Sequence, residues 1–189
     1  MNGNQYFAAR RSPGDISQAT YAAAANQQHT GHIRNGPSSQ PHHRQDYRRQ
    51  PLPATHLELG LLDGSVATAR KHARLVMQEL GFDDEFAATV ELLVSELATN
   101  AITASRVLHQ PLPSPIRLWL KEDLRHVFIA VWDGNPQPPV LKEDVSADAE
   151  SGRGLLLVDH FSERWGWFEP ADIGGKWVWC EVLHQPAGK

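Results

Sequence analysis

Leu52 is the only leucine in the first 53 residues, and no valine or tryptophan accompanies it. The same stretch carries six arginines, two aspartates, five prolines and four histidines among Gln, Asn, Ser and Gly, for a charge of +4. Such a segment cannot bury enough apolar surface to offset the entropy of ordering it, so residues 1–53 are expected to form a disordered arm. A basic arm of this kind can touch nucleic acid or an acidic partner, or simply be an unconstrained tail. The tail is the simpler reading, and direct binding of nucleic acid is not expected.

The remaining 136 residues hold all six tryptophans, 12 basic and 20 acidic groups, for a charge of −8. A chain of that length buries roughly two-thirds of its unfolded surface, enough for an independent core. One domain over residues 54–185 and a short tail, 186–189, are expected. The single cysteine, Cys180, excludes an intramolecular disulfide framework and a Cys-rich zinc site. No apolar run approaches the ~18 residues of a membrane span, and Met1 to Arg10 lacks the apolar core of a signal peptide. The expectation is a soluble cytoplasmic protein.

Periodicity then orders the domain. His56 to Leu62 alternates as a strand, with Leu57, Leu59 and Leu61 on one face. Asp63 is placed to cap a helix over Gly64 to Leu80, and Gly81 to end it. Asp83 caps a longer helix reaching about His109, in which Phe86, Val90, Leu93, Leu97, Ala101 and Ala104 share a face. Pro111, Pro113 and Pro115 forbid its continuation. A hairpin follows, with Ile116, Leu118 and Leu120 alternating before a turn at Glu122 to Arg125, and Val127, Ile129 and Val131 after it. Residues 134–151 form a long Pro-rich acidic loop, a length uncommon unless functional. A short helix over Gly154 to Phe161 and strands over Arg164 to Phe168 and Lys176 to Leu183 complete the order β-α-α-β-β-loop-α-β-β. That order predicts an α/β (α+β) fold: a two-layer α/β sandwich with a mixed, mostly antiparallel sheet and helices on one face. All six tryptophans fall in the strands, and Trp119 and Trp132 oppose the aliphatic face. They either shield the sheet or offer a partner or dimer surface. Cys180 is expected to be a packed small apolar residue.

Three features stand out from a plain core. Glu96 and Asn100 lie four apart on the long helix, beside its apolar stripe around Leu97, so their side chains are neighbours. They are either a polar rim pair or oxygen ligands for a hydrated Mg²⁺. Asp133 closes an apolar strand. It either starts an ordinary turn or aims a carboxylate into a cleft, where it can accept from an exocyclic amine. Ser151-Gly152-Arg153-Gly154-Leu155 precedes a helix, either as a plain connection or as an anion site built from backbone N–H groups and Arg153. No P-loop motif is present. Taken in order, the three describe a nucleotide pocket without a P-loop.

These motifs resemble the GHKL ATP-binding fold shared by gyrase B and histidine kinases. They are most similar to the anti-sigma-factor serine kinases of bacteria and their actinobacterial ATP-binding relatives, over about residues 55–184. Glu96-Leu97-Ala98-Thr99-Asn100-Ala101 matches the Asn box and Asp133 the first glycine box. Ser151 to Val158 matches the second glycine box, and Gly175 to Trp179 the closing strand. The resemblance implies ATP and Mg²⁺ as ligands. Asn100 would hold the metal and Glu96 would act as general base. Asp133 with Gly134 would bind adenine, and residues 134–151 would form a lid. Gly152, Arg153, Gly154 and Leu155 would line the phosphates. It also implies a protein partner, either a sigma factor or an antagonist phosphorylated on serine, and a homodimer. Three positions depart from the family pattern: Ala104 stands for a usual His, Asn135 for a Gly, and Trp177 for a Thr that assists adenine binding. A module that binds nucleotide and sequesters a partner without catalysis is the rival reading; a simple ATP hydrolase is a third. His72 is expected on the surface of the first helix, which has no phosphoacceptor hairpin before it.

Overall fold

The computed structural model describes residues 54–108, 114–123, 125–141 and 153–184. The expected arm, the tail 186–189, Gly152 and most of the expected lid lie outside these residues. The described elements run β1 (Ala54–Leu59), α1 (Ser65–Glu79), α2 (Asp84–Val107), β2 (Ile116–Asp123), β3 (His126–Asp133), α3 (Gly154–Phe161), β4 (Arg164–Phe168) and β5 (Lys176–Leu183). The sheet order is β1-β2-β3-β5-β4, and every neighbouring pair is antiparallel. The expected sandwich is therefore present, and among the described strands its mostly antiparallel sheet is wholly antiparallel.

Local chemistry fixes the helix ends. Asp83 accepts a hydrogen bond from Phe86 N at 2.8 Å and caps α2 as the sequence implies. Gly81, at φ 78°, lets the chain reverse after α1. Its N–H donates to Gln78 O, and Phe82 N donates to Met77 O, the paired bonds of a Schellman end. Asp63 does not cap α1. Gly64 occupies that position without a side-chain bond, and the Asp63 carboxylate instead meets Arg106 of α2 at 2.7 Å. The first strand starts two residues earlier than its alternation suggested and stops before Gly60, whose carbonyl accepts from Ser65 Oγ at 2.6 Å. Leu61 still packs on the core from the connection. His72 is half-buried rather than superficial: its Nε2 lies 3.1 Å from Thr55 Oγ1, and burial holds its pKa below the usual histidine value.

The sheet has two unlike faces. Leu118, Leu120, Val127, Ile129, Val131, Val178 and Cys180 pack toward the helices, against Leu93, Val94 and Leu97 of α2. Burial raises the Cys180 thiol pKa far beyond its ordinary range, as suits an inert packed residue. The opposite face gathers Trp119, Phe128, Ala130, Trp132, Phe168, Trp177 and Trp179. Two ring pairs, Trp119–Trp177 at 5.8 Å and Phe128–Trp179 at 5.7 Å, shield one another, and Arg117 lies over Trp132. Each tryptophan of this set is under 10% exposed. The rings on this face thus shield the sheet and one another. Trp165 and Trp167 belong to the helix-side core instead.

Candidate functional site

Asp133 ends β3, Lys176 begins β5, and the strand register sets them opposite each other. Lys176 is in phase with Val178 and Cys180, so the period of two turns it toward the helices. Its Nζ donates to Asp133 Oδ1 at 2.8 Å and to Asn135 O at 2.9 Å, and both members of the ion pair are nearly inaccessible. Burial pushes the Asp133 carboxyl above the ordinary carboxylate range, while the Lys176 ammonium and the Asn135 N–H pull it back. Gly175 makes this junction possible. At φ 66°, any side chain there would strike the Asp133 carbonyl.

Asn135, the residue that departs from the family glycine, ties the following loop down. Its N–H donates to Asp133 Oδ1 and its Oδ1 accepts from Gln137 N, both at 2.9 Å, which makes two successive Asx turns. Its Nδ2 donates to Ala104 O of α2 at 3.0 Å. The loop, α2, α3 and β5 enclose a cavity of about 250 Å³, with Asn100, Ala104, Asp133, Asn135, Leu155 and Lys176 in its walls.

Glu96 and Asn100 sit farther along α2, against the start of α3. A Cβ on Gly154 would lie 2.6 Å from Glu96 Oε2 and 3.4 Å from Asn100 Nδ2, so glycine lets α3 approach without displacing the Glu96 carboxylate. Arg153 occupies the N-cap of α3 without a side-chain cap bond. An arginine offers the first N–H groups of α3 no acceptor, and N–H groups at a helix start favour water or an anion. Asn100 Nδ2 is buried without a hydrogen-bond partner among the described residues. Glu96 accepts no hydrogen bond among the described residues, and partial burial raises its pKa. An orphaned amide beside an unpaired carboxylate suits a hydrated Mg²⁺, which takes oxygen ligands and keeps several waters. The assignment of O and N within the amide follows its surroundings, so the amide can be turned to present its oxygen, the atom that ligates Mg²⁺. No cluster of three or more His, Cys, Asp or Glu exists among the described residues.

The structure brings Asn100, Asp133 and Leu155 to one cavity, with Glu96 and Gly154 beside it. Gly134 is not in the cavity wall; Ser114 and Leu108 flank it, and Asn135 takes the lining position. Trp177 faces the aromatic layer and does not narrow the cavity. Lys176 lay within the closing-strand match but was given no role, although its phase with Val178 and Cys180 placed it on the site face.

An antiparallel sheet backed by helices, with a cavity between the long helix and the loop after β3, is the layout of a GHKL-type ATPase domain. A family model for the Histidine kinase-like ATPase domain matches residues 61–179, and the chain belongs to that family. No curated protein matches the chain. No helix among the described residues is long and apolar enough to cross a membrane.

Proposed function

We propose that this chain is an ATP- and Mg²⁺-binding regulatory protein of the anti-sigma-factor serine-kinase type. It transfers the γ-phosphoryl group to a serine of a protein partner, such as an antagonist of the regulator, or it sequesters a sigma factor. The observation that carries the reading is the Glu96 carboxylate, partly desolvated and unpaired among the described residues, set beside Asn100 against the start of α3.

Asp133 accepts from the exocyclic amine of the base. The α3 N–H groups and Arg153 favour the phosphate charge. Mg²⁺, held by Asn100 with water, would offset charge on the phosphate oxygens. Glu96 takes the proton as the serine oxygen forms its bond to phosphorus and the bond to the ADP oxygen breaks. Positioning and electrostatics do most of this work. A carboxylate whose pKa is raised is a better base near neutral pH.

Labelled ATP incubated with the chain and a serine-bearing partner should give a phosphorylated partner, and Glu96→Gln should abolish this while ATP still binds. Binding without transfer in the native chain would favour the sequestering module, which Ala104 also supports, since no second polar side chain follows Asn100 by one turn. A chain that binds no ATP at millimolar concentration with Mg²⁺ ends the nucleotide reading, and Asn100→Ala should weaken binding if it stands.

A further inference from the structure

The proposed chemistry leaves one charged group in the cavity wall unused. Lys176 carries three N–H donors, and the chain takes two of them, for Asp133 Oδ1 and Asn135 O. Both hydrogen bonds made to the Asp133 side chain fall on Oδ1, from Lys176 and from Asn135 N, which leaves Oδ2 free to accept. Among the described residues, an unused acceptor and an unused donor thus belong to paired neighbours that both line the cavity. The lysine stem is buried and its head is fixed by two partners, so the donor is held in place before any ligand arrives.

We infer that Lys176 is a base-reading residue: its third N–H donates to the ring nitrogen of adenine adjacent to the amino group that Asp133 accepts. This rests on the nucleotide reading above. The two oxygens of a carboxylate and the amino and ring nitrogens of adenine are similarly spaced. An ammonium on Oδ1 and an amine on Oδ2 therefore bring the ring acceptor beside the ammonium. Guanine in the same pose sets its carbonyl against the carboxylate and its ring N–H against the ammonium, a mismatch at both positions. A site built to satisfy specific donors and acceptors rejects a ligand that leaves them unpaired.

Calorimetric titration of the full chain with Mg²⁺ and ATP, 1-deaza-ATP (a C–H in place of the ring acceptor) or GTP tests this. The analogue and GTP should each bind about tenfold or more weakly than ATP, the loss of one charge-assisted hydrogen bond. Lys176→Met should bind ATP and 1-deaza-ATP equally, both near the affinity of the native chain for the analogue. If that variant fails to fold, the comparison on the native chain decides alone. Equal affinity of the native chain for ATP and 1-deaza-ATP overturns the role of Lys176 and leaves the nucleotide site intact. No binding of any of the three overturns both.

Discussion

The two ends of the candidate site obey opposite rules. At the Asp133 end, Lys176, Asn135 and Ala104 O answer one another, and the loop is fixed to β5 and α2 by the chain's own bonds. At the Glu96 end, neither the buried Asn100 amide nitrogen nor the Glu96 carboxylate has a partner among the described residues. Buried polar groups are normally bonded, and leaving one unmatched costs free energy. The first end is therefore pre-organised by the fold. The second keeps an unmet demand that a ligand can satisfy. Substitutions should separate accordingly, affecting stability at one end and ligand binding at the other.

The largest effect is expected from Lys176→Met. It leaves the buried Asp133 carboxylate without its counter-charge, and breaking such a pair by removing one partner costs about 3–5 kcal/mol. Urea unfolding measures it, and adding Asp133→Asn in the same chain should recover much of the loss, because the buried charge is then gone. A single-variant cost under ~1 kcal/mol would mean that the ion pair does not hold the loop, and the contrast between the ends would disappear.

Gly154→Ala should show the opposite pattern. Alanine favours a helix by about 1 kcal/mol over glycine, and the atom it strikes is the far end of the flexible Glu96 side chain, so stability should hold or rise slightly. The new methyl nonetheless displaces the carboxylate and crowds Asn100. ATP affinity should fall by about tenfold, equivalent to ~1.4 kcal/mol, in a titration with Mg²⁺. A clear loss of stability with unchanged affinity would show that α3 packs on Glu96 for structural reasons alone.

The same contrast explains what was legible in the sequence. Elements with a strong period emerged nearly residue for residue: α2 with its Asp83 cap, the hairpin β2–β3, α3, and β4–β5. Glu96, Asn100 and Gly154 were visible because local spacing alone makes them neighbours or places them at a helix start. Lys176 was not, because its meaning depends on a pairing 43 residues away, which the register of β3 with β5 creates. Asn135 was read as a departure from a glycine, yet its value lies in a bond to Ala104 O, 31 residues back. The Asp63 cap failed because α1 starts one residue later, with Gly64 at the cap position, and the Asp63 carboxylate meets Arg106 of α2 instead. Trp177 was read as standing for a Thr that assists adenine binding; strand alternation puts it on the far face, with Trp119.

Glu96→Gln should have the smallest effect on the fold and the most informative pH dependence. Desolvation raises the pKa of Glu96 in the folded state, so the fold favours the protonated form. The stability it contributes is complete below the unfolded value of about 4.3 and is lost as pH rises through the raised folded value. Above that window the native chain carries an unpaired carboxylate beside Gly154, and glutamine removes the charge at nearly equal size. The variant should therefore melt a little higher than the native chain at pH 7.5, with the difference shrinking toward zero near pH 4. Mg²⁺ with ATP should reverse the order at pH 7.5, because the ligand uses the charge that the empty fold disfavours, and its binding stabilises the native chain more. Melting curves that coincide at both pH values, with and without ligand, would place Glu96 in ordinary solvent and leave the Asp133 end as the only specialised part of the site.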